Sequence, residues 1–506
     1  MISYIMPLIL LYVNSSYPYN TLPDWIETYS SGITMDAELF DYDSDGYLDL
    51  VTAEYSYPNG GNIRVYQNNH SGGFHSIPIW TSYLSKGFES VTIADVNNDG
   101  YDDIIAGTVN LMPYDGHNYC FICQGESSPI TWSNTPYWIS SDSKDTIDIF
   151  CADIDCDGYV EVITANIQAR ILVYDNINGS ISSVPNDFLD VCWNSSLALS
   201  IMPVPLCSSV TAQPGYHLVT SWAYYSDKHA RKSYCILFNA ADFLSNNLPK
   251  PLWDASSFSQ AALAGENFYH CIDLNGDGLL DIAGNTDRFL SILFSSDDMS
   301  SPPFYTYNSF EIELIQEAQV YLNEWEVFDP LYRIRFIDVA DFGENDGGVD
   351  LVVGATGISD PNSNGILFGA DYICSVSDWA DPEPSISIEW QSDYNCATTN
   401  VILADLDRST ETRVVEQFSQ TANNQAFLLN SGNPIQSICS IMVNGIELSN
   451  TQYHFNRRSS IVSLARDIST FSGDSVSIEY FVSNENDLIC ITTENNIVYE
   501  HKGKGL

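Results

Sequence analysis

The chain has 506 residues, with 18 Lys and Arg against 66 Asp and Glu and a formal net charge of −48. Such an excess of acid excludes nucleic acid and anionic membrane as partners bound through charge. Tyr, Asn, Ser and Thr are plentiful and long helical patterns are scarce. That predicts an all-β protein, long enough for one large domain and a small one.

The first element is apolar, Ile5-Met6-Pro7-Leu8-Ile9-Leu10-Leu11. It is too short to span a bilayer. It has the character of a secretory signal ending near Asn14 to Pro18, so residues 1–18 are read as a signal peptide and the protein as secreted or on the cell surface. No Lys or Arg precedes the stretch, and a buried first strand is the other reading. No later stretch carries a transmembrane pattern.

An acidic run follows, Asp41-Tyr42-Asp43-Ser44-Asp45-Gly46-Tyr47-Leu48-Asp49. Carboxylates this close repel one another unless a cation sits among them, and oxygen ligands at this spacing suit Ca²⁺. Gly46 permits the sharp turn that aims the Tyr47 carbonyl at the ion. The run starts like an EF-hand loop, but its last ligand comes early, and Leu50-Val51-Thr52-Ala53 then reads as a strand. A Ca²⁺ loop inside a β-hairpin is expected, with Asp41, Asp43, Asp45, Tyr47 and Asp49 as ligands.

The loop recurs. A second copy offers Asp95, Asn97, Asp99, Tyr101 and Asp103; a third offers Asp153, Asp155, Asp157, Tyr159 and Glu161. A fourth has Asp273, Asn275, Asp277, Leu279 and Asp281, and a stretched copy has Asp341, Glu344, Asp346 and Asp350. About five Ca²⁺ sites are therefore expected, because repetition at a regular period marks an array of like units.

Tryptophans keep the same period: Trp25, Trp80, Trp138, Trp193, Trp253, Trp325 and Trp390. The spacing of roughly 50 to 70 residues suits a four-stranded propeller blade with insertions. In each unit an apolar strand such as Ser90-Val91-Thr92-Ile93-Ala94 enters the loop, a second leaves it, a third follows, and an outer strand carries the Trp. The Trp193 unit has no acids before Gly215-Tyr216-His217-Leu218-Val219. In the Trp390 unit Asp405 and Asp407 survive, while Ser409, Thr410 and Arg413 stand for the third acid, the glycine and the closing ligand. Both units are expected to hold their shape without Ca²⁺, with Arg413 supplying positive charge in the second. The strand around Trp25 is expected to complete the last blade and so remove the free edges.

The predicted architecture is a seven-bladed β-propeller over residues 19–433, with a small β-sandwich-like module over 434–506. Within that module, Asp487-Leu488-Ile489-Cys490-Ile491 and then Asn496-Ile497-Val498-Tyr499 mimic the second and third strands of a blade. A half-blade there is the alternative.

The Asp-x-Asp-x-Asp-Gly-x-x-Asp loops between apolar strands resemble FG-GAP/VCBS repeats, found in the N-terminal propeller of integrin α subunits and in bacterial surface proteins. The resemblance covers about residues 23–433 and implies a seven-bladed propeller with Ca²⁺ on one rim. The Phe-Gly pair of the family name is largely absent, which places the chain nearer the VCBS style.

No catalytic motif surfaces among the eight histidines, and most paired carboxylates belong to the loops. The twelve cysteines are scattered; most read as small residues on inner strands, although Cys439 and Cys490 could pair. Propellers usually bind on the face opposite such loops, where Tyr57, Tyr114, His117, Tyr225, His229, Arg231 and Lys232 are candidate ligand contacts. The chain is therefore read as a calcium-stabilised extracellular binding or adhesion protein for a glycan or protein ligand. A secreted polysaccharide-active enzyme, a lyase or hydrolase, is the alternative.

Overall fold

The computed structural model describes residues 19–500 apart from connecting segments. The longest of these are 190–195, 206–215, 245–250, 255–264, 275–280, 296–304, 312–332, 341–349 and 377–385. Between 186 and 391 the strand backbones are described but few of their side chains. Among the described residues the chain is all-β, with a single 3₁₀ turn at Asn450–Gln452. No helix of the described residues is long and apolar enough to cross a membrane.

Four-stranded antiparallel sheets recur along the chain. The first has Ile33–Phe40, Asp49–Tyr55, Ile63–Tyr66 and Trp80–Thr81 in spatial order. The second has Phe88–Ala94, Asp103–Thr108, Tyr119–Phe121 and Trp138–Ile139; the third has Thr146–Ala152, Glu161–Asn166, Arg170–Tyr174 and Asn186–Leu189. Three more begin at Ser196–Pro205, Gly265–Ile272 and Arg333–Ala340. The last has Thr398–Ala404 as its inner strand, then Asp487–Thr492, Ile497–Tyr499 and Trp25–Ile26. Inner strands of consecutive sheets lie against one another, and Thr398–Ala404 returns to Ile33–Phe40, so the contacts run in a circle. This is a β-propeller-type arrangement.

A backbone irregularity repeats with the sheets. The pairing of inner and second strands shifts register between Thr34 and Asp36, Phe88 and Ser90, Thr146 and Asp148, and Ala198 and Ser200. It shifts again between Gly265 and Asn267, Ile334 and Phe336, and Thr398 and Asn400. A bulge adds twist to its strand, and the repeated bulge gives the inner strands a common bend. Packing between sheets supplies the core. Phe40, Val51, Val65 and Trp80 of the first sheet are buried against Phe88, Val91, Ile104 and Phe121 of the second. Polar bridges also cross: Asp36 Oδ2 accepts from Ser90 Oγ (2.8 Å) and Val91 N (3.0 Å), and Glu38 Oε2 accepts from Ile93 N (3.1 Å).

Two expectations change. The Trp marker sits in the outer strand at Trp25, Trp80, Trp138, Trp253 and Trp390. The outer strands of the third and fifth sheets, Asn186–Leu189 and Tyr305–Glu311, carry Phe188 or Tyr307 but no Trp. Trp193 and Trp325 lie outside the described residues.

The boundary expected at 433 does not separate two domains. Glu411–Ser419, inside the range 19–433 expected to be propeller, pairs instead with Ser475–Ser483, which also pairs with Ile435–Val443. Ala426–Leu428 joins Ile461–Leu464 and Tyr453–Asn456. These two sheets share their own core, including Phe427, Ile441, Val462, Val476 and Tyr480. The sandwich is thus an insertion within the last sheet, and the chain afterwards returns through 487–499. Cys439 and Cys490 fall on opposite sides of that return and are not joined to one another.

Candidate metal centre

Each acidic loop joins an inner strand to the next strand. In the first, the Asp41 carboxylate accepts Asp45 N at 3.0 Å and Gly46 N at 2.9 Å, and Asp45 Oδ1 accepts Tyr47 N at 2.8 Å. The second repeats this: Asp95 accepts Asp99 N (3.0 Å) and Gly100 N (2.7 Å), and Asp99 accepts Tyr101 N (3.0 Å). In the third, Asp153 accepts Asp157 N and Gly158 N, both at 2.9 Å, and Asp157 accepts Tyr159 N at 3.0 Å. The glycines hold φ of 91°, 89° and 91°, a region that side chains disfavour.

The acids converge. One oxygen each from Asp41, Asp43 and Asp45 lie within 4.8 Å of one another, as do oxygens of Asp153, Asp155 and Glu161. Buried Asp43 Oδ1 and Glu161 Oε1 have no hydrogen-bond partner. All donors are oxygen, which suits a hard divalent cation and disfavours a soft one. The residues present therefore fit Ca²⁺, with the orphaned oxygens as coordination capacity that the protein leaves unused.

The closing acid has a second job. Asp49 is buried, and its oxygens accept Tyr42 N (2.9 Å) and Asn68 N (2.7 Å); Asp103 likewise takes Val96 N (3.2 Å) and Cys123 N (2.9 Å). Glu161 has one more methylene, gives one oxygen to Ile154 N (2.9 Å), and joins the converging set with its reach. Asp281 accepts Leu274 N at 3.1 Å. The closing acid thus ties the start of the loop to the second strand, whether or not it also touches an ion.

Burial in a field of like charge leaves these groups reluctant to ionise. Burial, reinforced by neighbouring acids and opposed by backbone amides, pushes Asp49 and Asp153 up to about 8 and Asp95 up to about 7. The same causes hold Asp103 and Glu161 well above the usual carboxylate range.

The last sheet corrects the reading of its loop. Arg413 does not close it; its guanidinium pairs with Glu479 on the exposed face of the inserted module. Asp487 closes it instead. Its carboxylate accepts Leu406 N at 2.9 Å, and it pairs with Ala404 as Asp49 pairs with Phe40 and Asp103 with Ala94. Asp405 accepts Ser409 N and Thr410 N, both at 3.2 Å, matching Asp41 in the first loop. The hairpin is whole, but its closing acid comes after an inserted module. The sequence signal is Asp487-Leu488-Ile489, parallel to Asp49-Leu50-Val51.

Other expected residues are less informative. Asp273, Asn275, Asp277, Leu279, Asp341, Glu344 and Asp346 lie outside the described residues; Asp350 is described only by its pairing with Ala340. Tyr57, Tyr114 and His229 also lie outside, and Tyr225, Arg231 and Lys232 are described by backbone alone. His117 is engaged internally, its Nδ1 bonded to the Asp142 carbonyl.

Residues 41–106, from the first loop into the second strand of the second sheet, match the FG-GAP-like repeat family. The chain carries an FG-GAP-like repeat. A 223-residue stretch is 26% identical to human integrin alpha-6, covering 39% of this chain and 19% of the integrin. The Gallus gallus integrin alpha-6 is 26% identical over 209 residues, covering 37% and 19%. The chain thus spans about a fifth of the length of these curated relatives. Among solved structures, Sqt1 from Chaetomium thermophilum aligns over 95% of this chain and 99% of its own, with 7% identity and a TM-score of 0.46. BBS1N in complex with ARL6DN aligns over 97% and 98%, with 10% identity and a TM-score of 0.43.

Proposed function

We propose that the chain is a seven-bladed, calcium-stabilised propeller that works outside the cell as a binding or adhesion protein. The observation that carries this is the repeated loop: three described hairpins hold the same carboxylate-to-amide scaffold at the same end of their sheets. Converging oxygens and unpartnered buried oxygens at Asp43 and Glu161 support an ion there. Millimolar extracellular Ca²⁺ would fill even weak sites, since such modules bind at roughly 10⁻⁴ to 10⁻³ M. The FG-GAP match and the integrin similarity support the extracellular binding role, with a protein or glycan as ligand.

In this role Ca²⁺ would supply the positive charge that lets Asp41, Asp43, Asp45, Asp153, Asp155 and Glu161 ionise together. The protein contributes the geometry: a rigid rim of hairpins on a circular scaffold. The test is metal analysis after equilibrium dialysis, alongside glycan and protein arrays probed in Ca²⁺ and in EGTA. Several Ca²⁺ per chain and a ligand signal that chelator removes are expected. A metal-free protein that binds its ligand equally well in EGTA refutes the role of calcium.

A further inference from the structure

Side chains at the fourth loop position tie one hairpin to the next. Ser44, Asn98 and Arg408 all hold left-handed backbone, at φ of 59°, 60° and 57°. Asn98 of the second loop donates through Nδ2 to the carbonyl of Gly158 in the third loop, at 3.4 Å. Arg408 of the last loop donates through Nη1 to the carbonyl of Gly46 in the first, at 2.7 Å. Each link therefore runs from the fourth position of one loop to the glycine of the following one.

Between the first and second loops the equivalent residue is Ser44, whose side chain is too short for that span. The Gly100 carbonyl is met from elsewhere, by Asn450 Nδ2 of the inserted module at 3.1 Å. Ser44, Gly100 and Asn450 together border a cleft of ≈ 280 Å³ between these loops and the module. Both receiving positions hold left-handed backbone, at φ of 91° and 89°, which a side chain would strain. A Cβ on Gly46 would stand 2.5 Å from Arg408 Nη1, and one on Gly100 would stand 2.6 Å from Asn450 Nδ2. The module is held at two further points, by Asn456 Nδ2 on the Cys151 carbonyl (3.3 Å) and by Arg458 on Asp148 (3.3 Å).

We infer that the inserted module is a calcium-responsive clasp: Asn450 binds the Gly100 carbonyl in place of a side chain from the first loop, so metal occupancy of the second loop and docking of the module strengthen each other. This rests on the calcium reading above. A glycine carbonyl that accepts from Asn450 is fixed by the same turn that positions Asp95 and Asp99. An ion that orders this turn therefore favours the docked module, and by linkage docking raises the affinity for the ion by the same factor. One hydrogen bond of ordinary strength gives a coupling of about 3- to 10-fold.

Hydrogen–deuterium exchange of the full chain across a Ca²⁺ titration tests this. Peptides from 95–103 and from 446–458 should gain protection together. Asn450→Ala should move the Ca²⁺ midpoint for both about 3- to 10-fold upward, and leave the midpoint for 153–161 in place. Asn98→Ala provides the converse, shifting 153–161 while 446–458 still responds. If the loops respond to Ca²⁺ but 446–458 does not, or if Asn450→Ala moves neither midpoint, the clasp is wrong and the calcium loops stand. If no segment responds to Ca²⁺, both ideas fall.

Discussion

Asp487 shows how much one carboxylate can organise. It is 3% exposed and accepts the amide of Leu406, the residue after the first acid of its loop. Losing a buried acceptor for a backbone amide costs roughly 1–3 kcal/mol. Asp487→Ala should therefore lower stability by about that amount in chemical denaturation, as Asp103→Ala should. Arg413→Ala, which removes an exposed pair, should leave the unfolding midpoint where it is. Equal loss from both variants would restore the earlier view of Arg413 as the closing group. The loop acids also set a pH dependence. Asp49, Asp95 and Asp153 hold protons in the metal-free native state up to about 7 to 8, because burial opposes their charge. An unfolded chain has released those protons above about pH 4. Their contribution to stability is thus full below the unfolded value and is lost as pH rises through the folded one. Melting of the metal-free protein should fall between about pH 5 and about pH 8, and Ca²⁺, which binds the ionised form, should flatten that fall.

At the scale of the element, legibility followed the range of the interactions. The Asp41–Asp49 loop could be read because the bonds that shape its turn close within one short run of residues. The same hairpin in the last sheet was hidden, since Asp405 and Asp487 are separated by a folded module and no local period spans it. Apolar alternation in Glu411–Ser419 looked like a blade strand because sandwich strands and blade strands share the period of two; only pairing with Ser475–Ser483 distinguishes them. The tryptophan marker misled in the third and fifth sheets, where other aromatic residues stand in the outer strand. The clasp contact at Asn450 had no sequence signature, being made across two distant segments. If the module is an insertion, it should be removable. Replacing 411–486 by two residues makes the last loop as long as 41–48. Such a chain should keep its β-sheet circular dichroism and a single cooperative transition. Failure to fold would mean that the module is part of the scaffold and not an addition to it.

For the molecule as a whole, charge and closure pull in opposite directions. A net charge of −48 disfavours any compact state through self-repulsion. Against this stand a circular set of sheets without a free first edge, since Trp25–Ile26 covers Ile497–Tyr499, and the Ca²⁺ proposed for the loops. Ions that bind only the native state stabilise it by about 2.7 kcal/mol per site at a hundred times the dissociation constant. Several sites acting together should make EGTA lower the melting temperature by at least about 5 °C in low salt. The repulsive part of that loss is screened over a Debye length of about 8 Å at physiological ionic strength. Raising the salt should therefore recover some of the loss without calcium, whereas Mg²⁺, which demands tighter octahedral geometry, should recover less than Ca²⁺ at equal concentration. A melting curve indifferent to EGTA in low salt would mean that protonation alone neutralises the loops, and that the acid field is carried by the fold without metal.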